Sequence, residues 1–409
     1  MEPPNADTVL VRHGELGTKS SRVQSRMESQ LAANLRSMLS MRGIEGTVER
    51  ERGRIYVYST PASVDAATDA ATDTFGVISA SPAQTVAPTR SAIEAGLVEI
   101  ADVAYDSGSF AVRARRAGNR TDHPFTSKEI ETEGGSAIWT HVEDRFAPAV
   151  DLDDPDVTFY VECRPETAFV FLEKRPGPGG FPVGTQGRVV ALISGGTDSP
   201  VAAWELLGRG CEVIPVYFDF EAYGGPDHVA RALSGIETVQ RYAPRHPHDV
   251  WRVPIGDVAN MLVEDFSRMR MILLRRFMFR VAEHIAREVD AHALVTGESL
   301  GQKSSQTGWN LSTTSAATEL PIHRPLLNVD KQSIIAQAKE IGTYSDARIN
   351  AGCNRIAPKH PATAARHAEV EAIEPPLLTE ELDRFVERAE CIDVFQDRTP
   401  KPPVAIDER

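Results

Sequence analysis

The 409-residue chain is poor in cysteine, in lysine and in long apolar runs, and each shortage excludes something. Its four cysteines, Cys163, Cys211, Cys353 and Cys391, lie far apart, with no C-x-x-C pair and no histidine at zinc-finger spacing. A disulfide framework and a structural zinc site are therefore not expected. Nowhere do about 18 apolar residues follow one another, and the N-terminal MEPPNAD lacks the basic start and apolar core of a signal peptide. The expected location is the cytoplasm, with no membrane span. Only 8 lysines stand beside 36 arginines, and these 44 bases against 58 acids leave a net charge of -14. Such a balance speaks against indiscriminate coating of nucleic acid, whose affinity comes from basic surface and released counterions. The acid fits either an ordinary solvated enzyme or a protein adapted to high salt. Under both readings a nucleic-acid partner needs a local basic patch.

What is present reads as an ordinary globular mixture, 41% hydrophobic and 25% charged. The length suggests about two to four domains. Residues 8–13 (TVLVRH) form an expected strand. A helix then opens on Ser21-Arg22-Val23-Gln24 as a capping box, carries Val23, Met27, Leu31 and Leu35 on one face and stops at Gly43. With a strand at 55–58 this predicts a small α+β module over 1–75. Residues 76–180 predict a second module: a helix with Ile93, Leu97 and Ala101 on one face, a strand at 110–114, a helix opened by Thr126-x-x-Glu129, and strands at 157–163 and 168–173. The stretch 176–187 (PGPGGFPVGTQG) marks a junction. From 181 to 391, buried strands (189–193, 213–218, 293–296) alternate with helices (200–207, 269–286, 331–340), the pattern of a doubly wound parallel α/β sheet. Residues 392–409 read as a polar tail.

Ligands of such sheets bind at the carboxyl ends of strands, and there stands Ser194-Gly195-Gly196-Thr197-Asp198-Ser199-Pro200. Two glycines admit an anion close to the backbone, the serines add donors, and Pro200 suits a first helical turn. The loop is neither a Walker A sequence nor a G-x-G-x-x-G fingerprint. A glycine-rich turn that binds nothing remains the plain alternative. A second loop, Thr296 to Thr307 (TGESLGQKSSQT), again follows a strand and is rich in small donors.

The order Ser-Gly-Gly-x-Asp-Ser resembles the pyrophosphate loop of the ATP pyrophosphatases. With the second loop added, the chain resembles the tRNA 4-thiouridine synthetase (ThiI) family along nearly its whole length. The resemblance runs from VRHGEL at Val11 through FAVRARR at Phe110, Gly177 to Gly184, SGGTDSPVAAW at Ser194, and TGESLGQKSSQT at Thr296. It closes with Arg324-Pro325-Leu326, Asp330-Lys331, and Cys353 with PKHPAT at Pro358. It implies a ferredoxin-like domain, a THUMP domain gripping tRNA, and a catalytic pyrophosphatase (PP-loop) domain. The implied reaction adenylates O4 of a uridine at tRNA position 8 with ATP and Mg2+, then lets sulfur displace AMP. Activation is needed because a carbonyl oxygen leaves poorly, whereas a thiolate or persulfide is a strong nucleophile near neutral pH.

Carried onto this sequence, the resemblance assigns catalytic roles to Asp198, Lys331 and Cys353. The nucleotide would be held by Leu192, Ile193, Ser194, Gly195, Gly196, Thr197, Ser199, Tyr217, Phe218, Arg275, Gly297 and Gln306. Arg275 also reads as one of several solvated arginines on a basic helix with Arg268, Arg270 and Arg276, and Cys353 as one more buried thiol. Cys163 and Cys211 are expected in the core. RNA contacts are expected from Arg113, Arg115, Arg116 and Arg120 and, near the junction, from Lys174 and Arg175. No resident metal site within the protein is expected. Partners implied are tRNA and a sulfur donor, sulfide or a persulfide carrier, with a homodimer and a thiamine-related role left open. A C-terminal rhodanese-like domain is not expected after Cys391, nor a C-x-x-C pair for an iron-sulfur cluster. Alternatives are another PP-loop enzyme acting on a different tRNA base, and a noncatalytic RNA-binding protein.

Overall fold

The Gly- and Pro-rich stretch at 176–187 contains the division of the chain, which separates into the units Met1–Pro182 and Val183–Arg409. The computed structural model describes residues 2–14, 20–51, 53–119, 122–246, 249–344 and 356–395.

In chain order the first unit holds β1 (Thr8–Arg12), α1 (Ser21–Met41), β2 (Thr47–Glu51), β3 (Arg54–Tyr58), α2 (Val64–Thr72), β4 (Ser79–Val86) and α3 (Arg90–Ala104). These are followed by β5 (Ser109–Arg116), α4 (Ser127–Val142), β6 (Ala149–Val150), β7 (Val157–Cys163), β8 (Ala168–Phe171) and β9 (Arg175–Pro176). Among the described residues one sheet runs β2-β3-β1-β4-β8-β7-β5-β6, with β9 added on β4. The expected boundary at 75 thus falls just before the strand, β4, that joins the two halves of this sheet by pairing antiparallel with both β1 and β8. Each half has its own core. Met27, Leu31, Leu35 and Met38 of α1 pack on Val9, Val11 and Val57, while Ile93, Leu97 and Ile138 pack on Phe110, Phe159 and Val161.

Two expected helix starts differ in outcome. At α4 the Thr126 side chain accepts from the Glu129 amide and the Glu129 carboxylate accepts from the Thr126 amide, a full capping box. At α1 the N-cap is Ser20, not Ser21, no side-chain cap forms, and Gln24 donates to Glu28 instead. Gly43 does take the left-handed conformation, φ 64°, that lets the chain leave α1.

The second unit holds β10 (Arg188–Leu192), α5 (Asp198–Gly208), β11 (Glu212–Asp219), α6 (Pro226–Gln240), β12 (Asp249–Pro254), α7 (Gly256–Asp265), α8 (Arg270–Glu288) and β13 (Ala291–Val295). Then come α9 (Gly308–Ser315), β14 (Ile322–His323), α10 (Lys331–Glu340), α11 (His367–Glu371), α12 (Asp383–Glu387) and β15 (Glu390–Asp393). The strand order is β14-β13-β10-β11-β12-β15. All pairings are parallel except β12 with β15, an antiparallel edge strand that carries Cys391 opposite Trp251. The chain winds one way from β10 through β11 to β12 and returns as β13 on the other side of β10. The carboxyl ends of β10 and β13 therefore face a topological switch point, where α/β sheets leave a crevice for ligands. Cys163 and Cys211 are buried, as expected of core thiols. Among the described residues no helix is long and apolar enough to cross a membrane.

Candidate functional site

The two loops singled out in the sequence leave those two strands. Residues 193–197 turn from β10 into α5, and residues 296–306 follow β13. Together with the start of α8 they enclose a cavity of 230 Å³. One wall is apolar, built by Leu192, Ile193, Phe220, Met271, Leu274 and Met278. The rest of the lining is largely polar, with Ser194, Gly196, Thr197, Asp198 and Ser199 from the first loop and start of α5, Arg275 from α8, and Gly297, Lys303 and Gln306 from the second loop.

The first loop is braced from within. The Ser194 amide donates to Ser199 Oγ at 2.8 Å, the two hydroxyls lie 3.1 Å apart, and buried Arg231 donates to the Gly195 carbonyl at 2.6 Å. Thr197 at the N-cap makes no side-chain cap bond, so the first-turn amides of α5 are not capped by it. An uncapped N-terminus with its dipole suits an anion. A Cβ on Gly196 would meet nothing nearer than Ser194 Oγ at 3.5 Å, so this glycine leaves open room above the backbone. Gly297 is different. A Cβ there would stand 2.6 Å from the Asp198 carbonyl carbon and from the Ser199 amide nitrogen. The second loop therefore rests backbone against backbone on the first turn of α5.

Asp198 receives a contact on each carboxylate oxygen: Lys331 Nζ donates to Oδ1, and Gln302 Nε2 donates to Oδ2 at 3.0 Å. Lys331 opens α10, whose N-cap Asp330 accepts from the amides of Gln332 and Ser333. Buried Glu298 accepts from Arg275 Nη1 at 2.8 Å, Arg324 Nε at 2.8 Å and Thr296 Oγ1 at 3.1 Å. This carboxylate fixes Arg275 at the cavity wall, so Arg275 is not one of a row of solvated arginines. Its neighbour Arg276 is fully buried against Glu374. Arg275 Nε, Gln302 Oε1 and Gln306 Oε1 are buried polar atoms that find no partner among the described residues. Groups of this kind are costly unless a ligand or water satisfies them; Arg275 and Gln306 line the cavity, and Gln302 reaches it through Asp198.

The expected nucleotide residues line this cavity with three exceptions, the first being Gly195, which stays within the loop with its carbonyl held by Arg231. Tyr217 and Phe218 lie buried within β11 and do not line the cavity. The Tyr217 hydroxyl pairs with His228 Nδ1 at 2.7 Å, and burial together with Arg231 pushes His228 below its usual pKa. Phe220, further along the same chain segment, supplies the aromatic wall instead. Cys353 lies outside the described residues. For Mg2+, no group of three or more His, Cys, Asp or Glu side chains is arranged around a common point among the described residues. Asp198 is one carboxylate at the loop, which fits an ion that brings most of its ligands from phosphates and water.

A second cavity, 540 Å³, opens in the first unit on the face of β5, β7 and β8, lined by Arg12, Arg54, Arg113, Arg115 and Lys174 with Tyr160 and Phe171. The rings of Tyr160 and Phe171 stack at 5.1 Å, Lys174 Nζ sits 3.9 Å above the Tyr160 ring, and the Arg12 guanidinium lies 5.0 Å from the Phe171 ring. Burial, with Arg54 adding to it, lowers the Arg12 pKa to about 10, which leaves the cation intact at neutral pH. Arg54 is a bidentate partner of buried Glu162. Strand alternation separates the expected RNA residues. Arg113 and Arg115 reach the cavity, whereas Arg116 turns away and donates to the Phe125 carbonyl. Arg175 is gripped by Asp65, Asp69 and Glu173, and Arg120 lies outside the described residues. Arg12, Arg54, Tyr160 and Phe171 were not among the residues expected to contact RNA. Only the strand pairing brings them to one face.

Comparison with known proteins places this geometry. Residues 184–378 match the family described as thiamine biosynthesis protein (ThiI), residues 8–81 the ThiI ferredoxin-like domain, and residues 89–173 the THUMP domain. A probable tRNA sulfurtransferase of Halobacterium salinarum is 54% identical over 380 residues, covering 93% of this chain and 96% of the relative. One from Methanosarcina acetivorans is 37% identical over 371 residues, covering 88% and 87%. A solved 4-thiouridine synthetase in complex with RNA, with bound ATP, superposes with a TM-score of 0.84 at 29% identity, covering 94% of this chain and 99% of that one. With relatives this similar along nearly the whole length, and the three matched segments in the same order as the two halves of the first sheet and the doubly wound unit, the chain belongs to the ThiI family.

Proposed function

We propose that this protein is an ATP-dependent tRNA sulfurtransferase that converts a uridine of tRNA, at position 8, into 4-thiouridine. The observation that carries the reading is the cavity at the switch point. An uncapped helix N-terminus, Asp198 with its partner Lys331, and two buried polar atoms without a partner among the described residues, Arg275 Nε and Gln306 Oε1, share one cavity with apolar side chains that suit a nucleotide base. The name of the solved neighbour, a 4-thiouridine synthetase with RNA and ATP, and those of the sulfurtransferase relatives support the same reading.

In this scheme the first-turn amides of α5 and the Ser194 and Ser199 hydroxyls bind the phosphates, and Arg275, held by Glu298, lies beside them. The uridine O4 attacks the α-phosphorus, the bond from that phosphorus to the β-phosphate bridge breaks, and pyrophosphate leaves. Lys331 moves from Asp198 toward the charge that develops on the phosphoryl oxygens, the placement that contributes most in a site shielded from water. Asp198 is the residue that would hold Mg2+, which when bound would supply neutralisation of phosphate charge. Sulfide then attacks C4 and the C4–O bond breaks to release AMP; with a persulfide carrier the same attack leaves the carrier joined to C4 through an S–S bond, which the Cys353 thiolate breaks, freeing 4-thiouridine and leaving Cys353 in a disulfide with the carrier. Cys353 is the protein thiol proposed for that second stage. The basic, aromatic cavity of the first unit is proposed to hold tRNA through Arg113, Arg115 and Lys174.

The test is pyrophosphate release that depends on added tRNA. Asp198→Ala is expected to abolish it while tRNA still binds, and Cys353→Ser to retain it while thiolation stops. Release that persists in Asp198→Ala, or a wild type that releases none with any tRNA, would overturn the scheme.

A further inference from the structure

One surface of the second unit has no role in this scheme. Trp309, at the start of α9, leaves 54% of its surface exposed, and the Arg366 guanidinium lies 3.7 Å from its ring centre. An indole is costly to leave in water, and a cation stacked on it points to a surface kept for a flat, electron-rich partner. The position is informative. Trp309 follows Gln306 of the nucleotide cavity by three residues, and the chain on Arg366's side supplies Pro358 and Pro361 to the same cavity.

The two segments are fastened to each other. Thr307 Oγ1 donates to the Thr363 carbonyl at 2.6 Å, Asn310 Nδ2 to the Ala362 carbonyl at 2.8 Å, and Thr313 Oγ1 to the Ala365 carbonyl at 2.7 Å. The Ala365 amide returns a bond to Asn310 Oδ1 at 3.0 Å. The exposed ring thus stands on a rigid base rather than on a loose loop. The two fastened segments carry cations in an acidic chain: Lys303, which lines the cavity, stands on the first, and Lys359 on the second with Arg366. A flat aromatic face on segments that carry cations suits a nucleic-acid strand.

We infer that Trp309 with Arg366 is a stacking platform for an unpaired base of the RNA substrate at the rim of the nucleotide cavity. The inference rests on the tRNA reading above and adds the place where the catalytic unit receives the strand. A base that must reach the α-phosphate has to leave its own stack, and an aromatic face at the mouth replaces part of what it loses. Stacking of this kind also persists at salt concentrations that screen phosphate contacts.

The experiment compares wild type, Trp309→Ala, Trp309→Phe and Arg366→Ala with a full-length tRNA transcript, reading kcat/KM for tRNA and, separately, the Kd for ATP. Trp309→Ala is expected to lower kcat/KM for tRNA about tenfold, and Trp309→Phe to recover most of it, since any ring can stack. ATP affinity is expected to stay at the wild-type value in both. Wild-type fluorescence is expected to be quenched by the tRNA, with the quench reduced in Trp309→Phe. An active wild type whose Trp309→Ala variant matches it in kcat/KM for tRNA would overturn the platform and leave the proposed function standing. A wild type that neither binds nor thiolates tRNA would overturn both.

Discussion

Replacing Gly297 and Gly196 separately by alanine distinguishes a glycine needed by the fold from one needed by a ligand. At Gly297 the added methyl would stand 2.6 Å from the Asp198 carbonyl carbon and the Ser199 amide nitrogen and 2.8 Å from the Asp198 carbonyl oxygen. Ordinary contact begins near 3.4 Å, and all three atoms are backbone, so no side chain can swing aside. The first turn of α5 must move, and overpacking of this kind costs about 1–3 kcal/mol. For a unit of this size that corresponds to a drop in Tm of roughly 3 °C per kcal/mol. Because the turn carries Asp198 and Ser199, ATP affinity should fall along with stability. At Gly196 the methyl meets only Ser194 Oγ, at 3.5 Å, and the backbone is not in the left-handed region. The fold should be unchanged or gain a few tenths of a kcal/mol from the stiffer unfolded chain. If phosphate lies above this glycine, ATP affinity should nevertheless drop at least tenfold. Thermal melts with calorimetric ATP titrations read both quantities. A Gly297→Ala protein with wild-type Tm and ATP affinity would refute the steric argument, and a Gly196→Ala protein that binds ATP normally would refute the placement of the phosphates.

Other expected outcomes follow from the same geometry. Arg115→Ala should weaken tRNA binding and lower the slope of log K against log salt by about 1. Arg175→Ala, which removes a guanidinium already held by three carboxylates, should lower the stability of the first unit and leave that slope unchanged; equal slopes in both variants would contradict the assignment. The hydrogen bond from His246, with Arg188 adding to it, holds the Glu212 carboxyl at about 2. Unfolded, it titrates near ~4.3, so the stability it contributes is present above that pH and is lost as pH falls toward 2. Glu212→Gln should therefore cost about 1 kcal/mol at pH 7 and less at pH 3 in denaturant titrations. An equal cost at both pH values would show that the carboxylate's charge is not what matters.

The legible parts of the fold were those where one local signal suffices. The alternation of strands and helices marked α10 over 331–340, and Thr126 with Glu129 marked α4. Strand β4 was missed because Ser79, Ser81, Pro82 and Gln84 interrupt any apolar alternation. Burial by α2 and α3 and pairing with β1 and β8 make it central, and neither is written locally. The two loops were legible because small residues after a buried strand are unusual. Their apolar wall was not, because Met271, Leu274 and Met278 read as the ordinary buried stripe of an amphipathic helix. Glu298 was likewise passed over: its importance lies in partners at 275 and 324, which the sheet brings together. Arg175 looked like a free cation in the sequence, and only the fold shows its three acidic neighbours.

Nucleoside mass spectrometry of tRNA from cells lacking this protein bears on the central claim most directly. The expected result is loss of 4-thiouridine, restored by the wild-type gene and not by Asp198→Ala. Unchanged 4-thiouridine in the deleted cells would contradict the proposed function.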